Sequence, residues 1–134
     1  MSENAIATVL KFEQLINSRN PEAVCSLLTE DSVFIDSLGN QLQGLERLCA
    51  AWQGYFRMVP DYTVSHEEIF ASGETVAMFG MAQGTFTKDG AIKKENFWQT
   101  HVAWRAVVGS GKIAVWQVFA DNEPIRAIML KNRE

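Results

Sequence analysis

The sequence predicts an α+β domain in which a curved antiparallel sheet wraps around helices from the N-terminal part of the chain. Apolar residues recur at helical spacing in three segments before residue 60, and most of the chain after it is rich in β-branched and aromatic residues. Helices gathered on one face of an antiparallel sheet form such a domain. The expected shape is a cone, open at one end, and a cone of this kind is where a ligand would bind.

The strongest strand signal is a hairpin between Glu95 and Asp121. Two long apolar runs flank Gly109-Ser110-Gly111, whose glycines supply the positive φ that a tight turn needs. Both runs carry large apolar side chains on both faces, whereas a strand with one wet face alternates apolar and polar residues. Both faces of this hairpin are therefore expected to be covered.

Three helices are expected to precede that hairpin. The first spans residues 5–18, and Asn20 with Pro21 predicts the N-cap and first position of a short second helix that ends at residue 28. The third spans Leu45 to Met58. Its apolar stripe consists of Leu45, Leu48, Cys49, Trp52, Tyr55, Phe56 and Val59.

The remaining strands are expected at residues 32–36, 62–70 and 75–87. Gly80 and Gly84 lie inside the last of these, and interior glycines indicate bends or bulges in a curved sheet. The tail from residue 122 is expected to form one irregular helical turn.

Length and charge narrow the functional classes. A chain of 134 residues predicts one domain over residues 1–134. The net charge is −4 and no cluster of lysine or arginine occurs, so a nucleic-acid partner is not expected. No apolar run approaches the ~20 residues of a membrane span. The start of the chain lacks the pattern of a signal peptide, which predicts a cytoplasmic protein.

The two cysteines, Cys25 and Cys49, fall on predicted apolar helix faces. Isolated cysteines in a chain without a leader are expected to be buried, reduced thiols rather than metal ligands or disulfide partners. His66-Glu67-Glu68 also carries metal-binding residue types, but neighbours along a strand point to opposite faces. No metal and no cofactor is therefore expected.

Two segments resemble a known group of proteins. One is LLTEDSVFID at residues 27–36, followed by a glycine turn, and the other is GKIAVWQVFAD at residues 111–121. With the order of elements, they resemble the nuclear transport factor 2-like superfamily, which includes ketosteroid isomerase, limonene epoxide hydrolase and the SnoaL-like polyketide cyclases. The likeness covers nearly the whole chain and implies a SnoaL-like member. It implies the fold rather than one activity, because this fold hosts many.

The resemblance to ketosteroid isomerase implies only part of that enzyme's active site. The general-base aspartate at the end of the first strand aligns with Asp36, but the oxyanion-binding tyrosine and aspartate fall at Phe12 and Ala103. Each such donor is worth roughly 3–4 kcal/mol where one has been removed from an oxyanion site. Steroid isomerisation by that mechanism is therefore not expected.

The resemblance to limonene epoxide hydrolase implies still less of an active site. Its arginine and aspartate on the third strand fall near Gly80 and Ala82, and its aspartate on the last strand falls at Val118. The water-activating cluster of that enzyme is therefore absent.

The register of the hairpin decides which side chains would line the cone. A two- or four-residue turn places His101 and Ala103 on the same face as Trp116, Val118 and Ala120, whereas a three-residue turn places them opposite. The resemblance favours the first arrangement, because the superfamily's pocket-lining positions correspond to Ala103, Trp116 and Val118.

In that register Asp36 is the expected general base and His101 its acid/base partner. The expected pocket is lined by Phe12, Phe34, Trp52, Tyr55, Met78, Ala82, Ala103, Trp116 and Val118. The expected ligand is a compact, largely apolar molecule, and the expected chemistry is a cofactor-free isomerisation, cyclisation, dehydration or hydrolysis.

Structural interpretations of the same residues remain open. Asp36 could cap backbone N–H groups at a strand end, His101 could be a satisfied structural histidine, and Trp52 with Tyr55 could belong to the core. The chain would then be a non-catalytic binding module, or a protein-interaction or assembly domain that uses its sheet.

The outer face of the sheet is expected to join two copies of the chain. In the favoured register it carries Trp98, Val102, Trp104, Val115 and Phe119. This apolar patch is too large for the surface of a monomer. A two-fold homodimer packed sheet on sheet would cover it, as the resemblance also implies.

Overall fold

Six strands form one sheet, and four α-helices accompany it, in residues 2–133, the part of the chain that the computed structural model describes. The strands are β1 (Leu28–Ile35), β2 (Gln41–Gln43), β3 (Thr63–Ser72), β4 (Thr75–Thr85), β5 (Phe97–Gly109) and β6 (Lys112–Ala120). Their order in the sheet is β2-β1-β6-β5-β4-β3. Neighbouring strands are antiparallel except β1 and β6, which run parallel. The α+β fold is as predicted, and the four long strands β3 to β6 are antiparallel as expected, whereas β1 joins the sheet parallel to β6.

The helices are α1 (Ser2–Ser18), α2 (Pro21–Cys25), α3 (Leu45–Met58) and α4 (Glu123–Lys131). The apolar stripe of α1 faces the core, where Ala5, Val9, Phe12 and Ile16 are almost fully buried. Asn20 is the N-cap of α2, because its Oδ1 accepts hydrogen bonds from the backbone N–H groups of Glu22 and Ala23. The inner face of the sheet is the face that α1 and α3 cover.

Two elements differ from the sequence prediction. The short strand β2 follows the turn after β1 and pairs with it, although its three residues carried no distinct strand signal. The tail forms a nine-residue helix rather than one irregular turn, because Pro124 lies in its first turn and Ile125 and Ile128 are buried.

The expectation of two reduced thiols is wrong, since Cys25 and Cys49 form a disulfide. The two residues lie on α2 and α3, and the packing of these helices brings their Cα atoms to 5.7 Å, within the span a disulfide bridges. Their separation of 24 residues in sequence gave no sign of this, because it arises from helix packing.

Gly80 lies opposite a bulge in β3. The pairing shifts between His66 and Glu68, so Glu67 is the extra residue on the bulged strand. A Cβ atom at Gly80 would lie only 1.9 Å from the backbone oxygen of Ser65. The close approach of the two backbones is therefore possible only with glycine, and the bend predicted from this residue is present.

A second bulge sets the register of the β5–β6 hairpin. Ser110 and Gly111 form a two-residue turn with φ of 53° and 74°, as the twist of a hairpin favours. Val108 pairs with Ile113, but Val107 pairs with Val115, so Ala114 is unpaired. One extra residue moves every later side chain of β6 to the other face. The register that the sequence favoured is therefore wrong. The turn has two residues, one of the two lengths expected to give that register, but the bulge at Ala114 reverses its effect.

Side chains of α1 and of the turn after it hold the free edge of the sheet at β3. Asn17 donates to the backbone oxygen of Val64 at 2.9 Å and accepts from its N–H at 2.8 Å. Arg19 donates to the backbone oxygen of Tyr62 at 3.1 Å. His66 lies against the buried Glu13, with Nδ1 at 2.8 and 2.9 Å from the two carboxylate oxygens.

Candidate functional site

A cavity of about 240 Å³ lies between α3 and the inner face of the sheet. Its walls are mainly aromatic, and the polar groups are few. The aromatic lining residues are Phe34, Trp52, Tyr55, Tyr62, Trp98 and Trp116, and the smaller apolar ones include Leu48, Ala51, Ala82, Val102, Val118 and Ala120. The cone is therefore hollow rather than filled by the protein's own side chains.

Seven of the residues expected at the site line this cavity: Asp36, Phe34, Trp52, Tyr55, Ala82, Trp116 and Val118. Two others lie in the core around it. Phe12 is fully buried with its ring edge-on to that of Trp116, their centroids 4.8 Å apart, and Met78 is 1% exposed. Neither lines the cavity, because each is covered by neighbouring core side chains.

His101 and Ala103 lie on the opposite face of the sheet. Ala103 pairs with Phe119 and His101 pairs with Met81, and all four side chains point away from α3. The two residues line a shallow depression on the outer face together with Phe79. The expected partnership of His101 with Asp36 is therefore wrong, and the physical reason is the bulge at Ala114.

The same register brings in residues that the sequence analysis placed elsewhere. Trp98, Val102 and Trp104 are buried on the inner face, at 5%, 6% and 3% exposure, although they were expected on the outer one. Trp98 and Val102 line the cavity, as do Tyr62, Ser37, Thr100 and Asn122. Trp98 and Val102 would have followed from the correct hairpin register, whereas Tyr62 carried no periodic signal of its own.

Asp36 closes the turn after β1. Its Oδ1 accepts from the backbone N–H groups of Leu38 and Asn40, both at 2.9 Å, and its Oδ2 accepts from Nδ2 of Asn40 at 3.2 Å. Partial loss of hydration acts to raise the pKa of this carboxyl. The hydrogen bonds from Asn40 and Leu38, with the positive charge of Arg126, outweigh that effect and hold the pKa below its ordinary value. The carboxylate is a turn cap and a weak proton acceptor.

Ser37 and Asn122 form a second polar group beside Asp36. The hydroxyl oxygen of Ser37 accepts from the backbone N–H of Ala120 at 3.2 Å and from Nδ2 of Asn122 at 3.4 Å. Both contacts use the oxygen as acceptor, so the Ser37 hydroxyl hydrogen remains available to a ligand.

Three further polar groups belong to the aromatic wall. The rings of Tyr55 and Tyr62 meet edge to face with centroids 4.9 Å apart, and the ring of Trp98 lies 6.1 Å from that of Tyr62. Burial raises the pKa of both tyrosine hydroxyls above the ordinary value, and for Tyr55 the neighbouring Tyr62 adds to this. Both hydroxyls are therefore neutral and protonated at physiological pH.

Among residues 2–133, no group of three or more histidine, cysteine, aspartate or glutamate side chains is placed to hold a metal ion. Within the same residues, no helix is both long and apolar enough to cross a membrane.

Comparison with known proteins places the chain in a family. Residues 9–116 match the model of the SnoaL-like domain. The chain belongs to the SnoaL-like family. No curated protein matches its sequence.

Solved structures share the fold of this SnoaL-like protein at low sequence identity. A putative SnoaL-like polyketide cyclase from Shewanella denitrificans OS-217 is 15% identical with a TM-score of 0.80, over 96% of this chain and 98% of that one. An LEH-like epoxide hydrolase from M. tuberculosis is 18% identical with a TM-score of 0.79, over 97% and 92%.

A third similar structure holds a small ligand. It is a hypothetical protein with a ketosteroid isomerase-like fold from Catenulispora acidiphila DSM 44928, in complex with trimethylamine. It is 16% identical with a TM-score of 0.76, over 90% of this SnoaL-like chain and 89% of its own. At these identities the likenesses show the fold alone.

Proposed function

We propose that this SnoaL-like protein binds a compact, largely apolar small molecule in the cavity beneath α3. The observation that carries the proposal is an aromatic hollow of about 240 Å³ that the protein's own side chains leave open. Ligand sites are concave, mostly apolar and furnished with a few polar groups, and this cavity has that composition. Its volume exceeds the ~150 Å³ of an engineered cavity that accepts benzene.

The occupant is therefore a molecule of one or two rings, or an aliphatic one of similar bulk. The structural relatives carry the names cyclase and epoxide hydrolase, and one holds trimethylamine, which is in keeping with small-molecule binding.

Ligand binding is tested by native mass spectrometry and calorimetry on the purified protein with indane as the first probe. Val118 lines the cavity on β6, so Val118→Trp is expected to abolish binding by filling the space. Lys112→Trp, at an exposed position of the same strand, is the matched control and should bind as the wild type does. Failure of indane and of similarly compact apolar probes to bind, or unchanged binding by Val118→Trp, would contradict the proposal.

Acid/base catalysis by Asp36 is the second candidate, because its carboxylate is the acidic side chain that lines the cavity. Its three hydrogen bonds and its lowered pKa weaken it as a base, and His101 lies on the other face of the sheet. Binding without turnover is therefore better supported. A bound compound converted by the wild type, but bound unchanged by Asp36→Asn, would select catalysis instead.

The outer face of the sheet supports a homodimer. Four phenylalanines between 44% and 55% exposed share that face: Phe70, Phe79, Phe97 and Phe119. A two-fold contact would cover them with the same face of a second copy. If this face instead binds a different protein, the function is assembly, and substitutions on this face would abolish that function while cavity substitutions would not.

A cytoplasmic location stays a prediction.

A further inference from the structure

The indole of Trp98 is the least satisfied polar group of the cavity wall. The residue lies near the start of β5 on the inner face and is 5% exposed. Its Nε1 is buried and has no hydrogen-bond partner within the described residues. A buried N–H of this kind costs free energy until an acceptor reaches it, and native proteins leave few of them unpaired.

Other neutral donors surround the indole. Tyr62 is its ring neighbour, and Tyr55 packs edge-on against Tyr62. Trp98 and Tyr62 lie toward β4 and the end of α3, whereas Asp36, Ser37 and Asn122 come from the end of β1 and the segment after β6. The cavity thus has an uncharged donor side and an acidic side.

The charges around the cavity restrict what acceptor could enter. No lysine, arginine or histidine is among the residues that line it, and the ionised group there is the carboxylate of Asp36. An anionic ligand would be desolvated beside that carboxylate, and no cationic side chain lines the cavity to balance it, which is costly. The acceptor that suits a neutral indole N–H in this setting is an uncharged oxygen.

We propose that Trp98 anchors the ligand through its indole N–H, and that the ligand is a compact neutral carbonyl compound of about the size of a bicyclic ketone. This rests on the proposed ligand-binding function and names its ligand class. Because Nε1 is enclosed in this structure, the proposal requires the Trp98 side chain to change its orientation when the ligand enters, so that the N–H reaches the carbonyl oxygen. The aromatic walls then cover the hydrocarbon part of the ligand.

Calorimetry with matched probes tests the anchor. The probes are 1-indanone and indane, which differ by the carbonyl oxygen, and the variant is Trp98→Phe, which removes the N–H but keeps an aromatic ring. The Kd of indane divided by the Kd of 1-indanone should be about three- to tenfold larger for the wild type than for Trp98→Phe, since a net hydrogen bond changes an equilibrium constant by such a factor. Indane should bind both proteins similarly, which also shows that the variant is folded.

A spectroscopic readout on the wild type makes the test independent of that variant. With ¹⁵N-labelled tryptophan, the Nε1–H proton resonance of Trp98 should move downfield with 1-indanone and much less with indane. Tyr62→Phe is the control for the neighbouring donor and should keep the preference for the ketone.

Each contrary outcome is distinct. An equal ratio in wild type and Trp98→Phe, or a Trp98 resonance that responds alike to both probes, overturns the anchor while the binding function stands. A ketone preference lost only in Tyr62→Phe assigns the donor to Tyr62 and overturns it as well. Tighter binding of 1-aminoindane than of 1-indanone would overturn the neutral carbonyl class in favour of a cation held by the aromatic walls. Binding of no probe would instead remove the proposed function.

Discussion

At the scale of single residues, Asp36 shows how a structural role limits a chemical one. The chain needs a cap for the N–H groups that turn back from β1 toward β2, and the Asp36 carboxylate supplies it. The same hydrogen bonds favour the ionised form and lower the pKa of the carboxyl. A carboxylate that lines the cavity is thus already engaged in hydrogen bonds to backbone N–H groups.

The cap gives a pH-dependent prediction. A carboxyl whose folded-state pKa is lowered contributes stability above its unfolded pKa of about 3.9, and this contribution is lost as the pH falls through the folded-state pKa. Asp36→Asn should therefore lower the melting temperature at pH 7, and the difference from wild type should shrink toward pH 3.

The control for this prediction is Glu30→Gln, which removes the same charge from an exposed residue of β1 without a side-chain hydrogen bond. It should change the melting temperature little at either pH. A wild type and Asp36→Asn that melt alike at pH 7 would show that the cap contributes no stability.

The sequence made Asp36 a candidate site residue but could not choose between base and cap. That choice depends on where three donors lie after folding, and two of them are backbone N–H groups that no residue type reveals. Trp98 was missed as a cavity residue for a related reason, because the sequence did not show which face of the sheet its side chain occupies.

At the scale of elements, the two bulges decide what each strand presents. The bulge at Glu67 is signalled by Gly80, because only a residue without a Cβ atom fits opposite it. The bulge at Ala114 has no such signal: alanine fits a regular strand equally well, and the neighbouring residues are ordinary strand formers. The strand bounds were therefore predictable to within a few residues, whereas the faces of β5 relative to β6 were not.

Substitution of Gly80 tests this account. Gly80→Ala should destabilise the fold by about 3 kcal/mol, at the upper end of the usual cost of overpacking, because its Cβ atom meets backbone rather than a movable side chain. Gly54→Ala is the matched control: its Cβ atom meets nothing within 4 Å on the exposed face of α3. It should stabilise by about 1 kcal/mol through helix propensity.

Urea unfolding followed by circular dichroism measures both changes. Equal free energies of unfolding for Gly80→Ala and wild type would mean that β3 and β4 do not approach each other closely at Gly80.

At the scale of the whole molecule, the sheet has two unlike faces, for which we propose separate functions: ligand binding at the inner face and dimer contact at the outer one. The inner face with α3 encloses the cavity, and the outer face exposes phenylalanines to solvent. The fold itself was predictable, because the apolar periodicity of the helices and strands and the two family-like segments together gave the order of the elements along the chain. The disulfide between Cys25 and Cys49 was not, because it depends on how two helices pack.

The proposed dimer gives a prediction at this scale. Light scattering on the wild type should give twice the chain mass of 15.0 kDa. Phe79→Glu, which places a charge among the exposed phenylalanines of the outer face, should give the monomer mass, because a buried unpaired charge opposes association. Leu130→Glu, at an exposed apolar residue of α4, is the control and should remain a dimer. A wild type that stays at 15.0 kDa at micromolar concentration would contradict the proposal.

The side chains of Asn17 and Arg19 along β3 bear on how copies of the protein meet. An unguarded strand invites a neighbouring chain to extend the ladder, which is the first step toward fibres. Here the N–H and carbonyl of Val64, and the carbonyl of Tyr62 just before the strand, are already bonded to α1 and the turn after it. The strand at the opposite border of the sheet is only three residues long. Growth by strand addition is thereby opposed at both borders, which favours the broad side of the sheet as the contact surface of the proposed dimer.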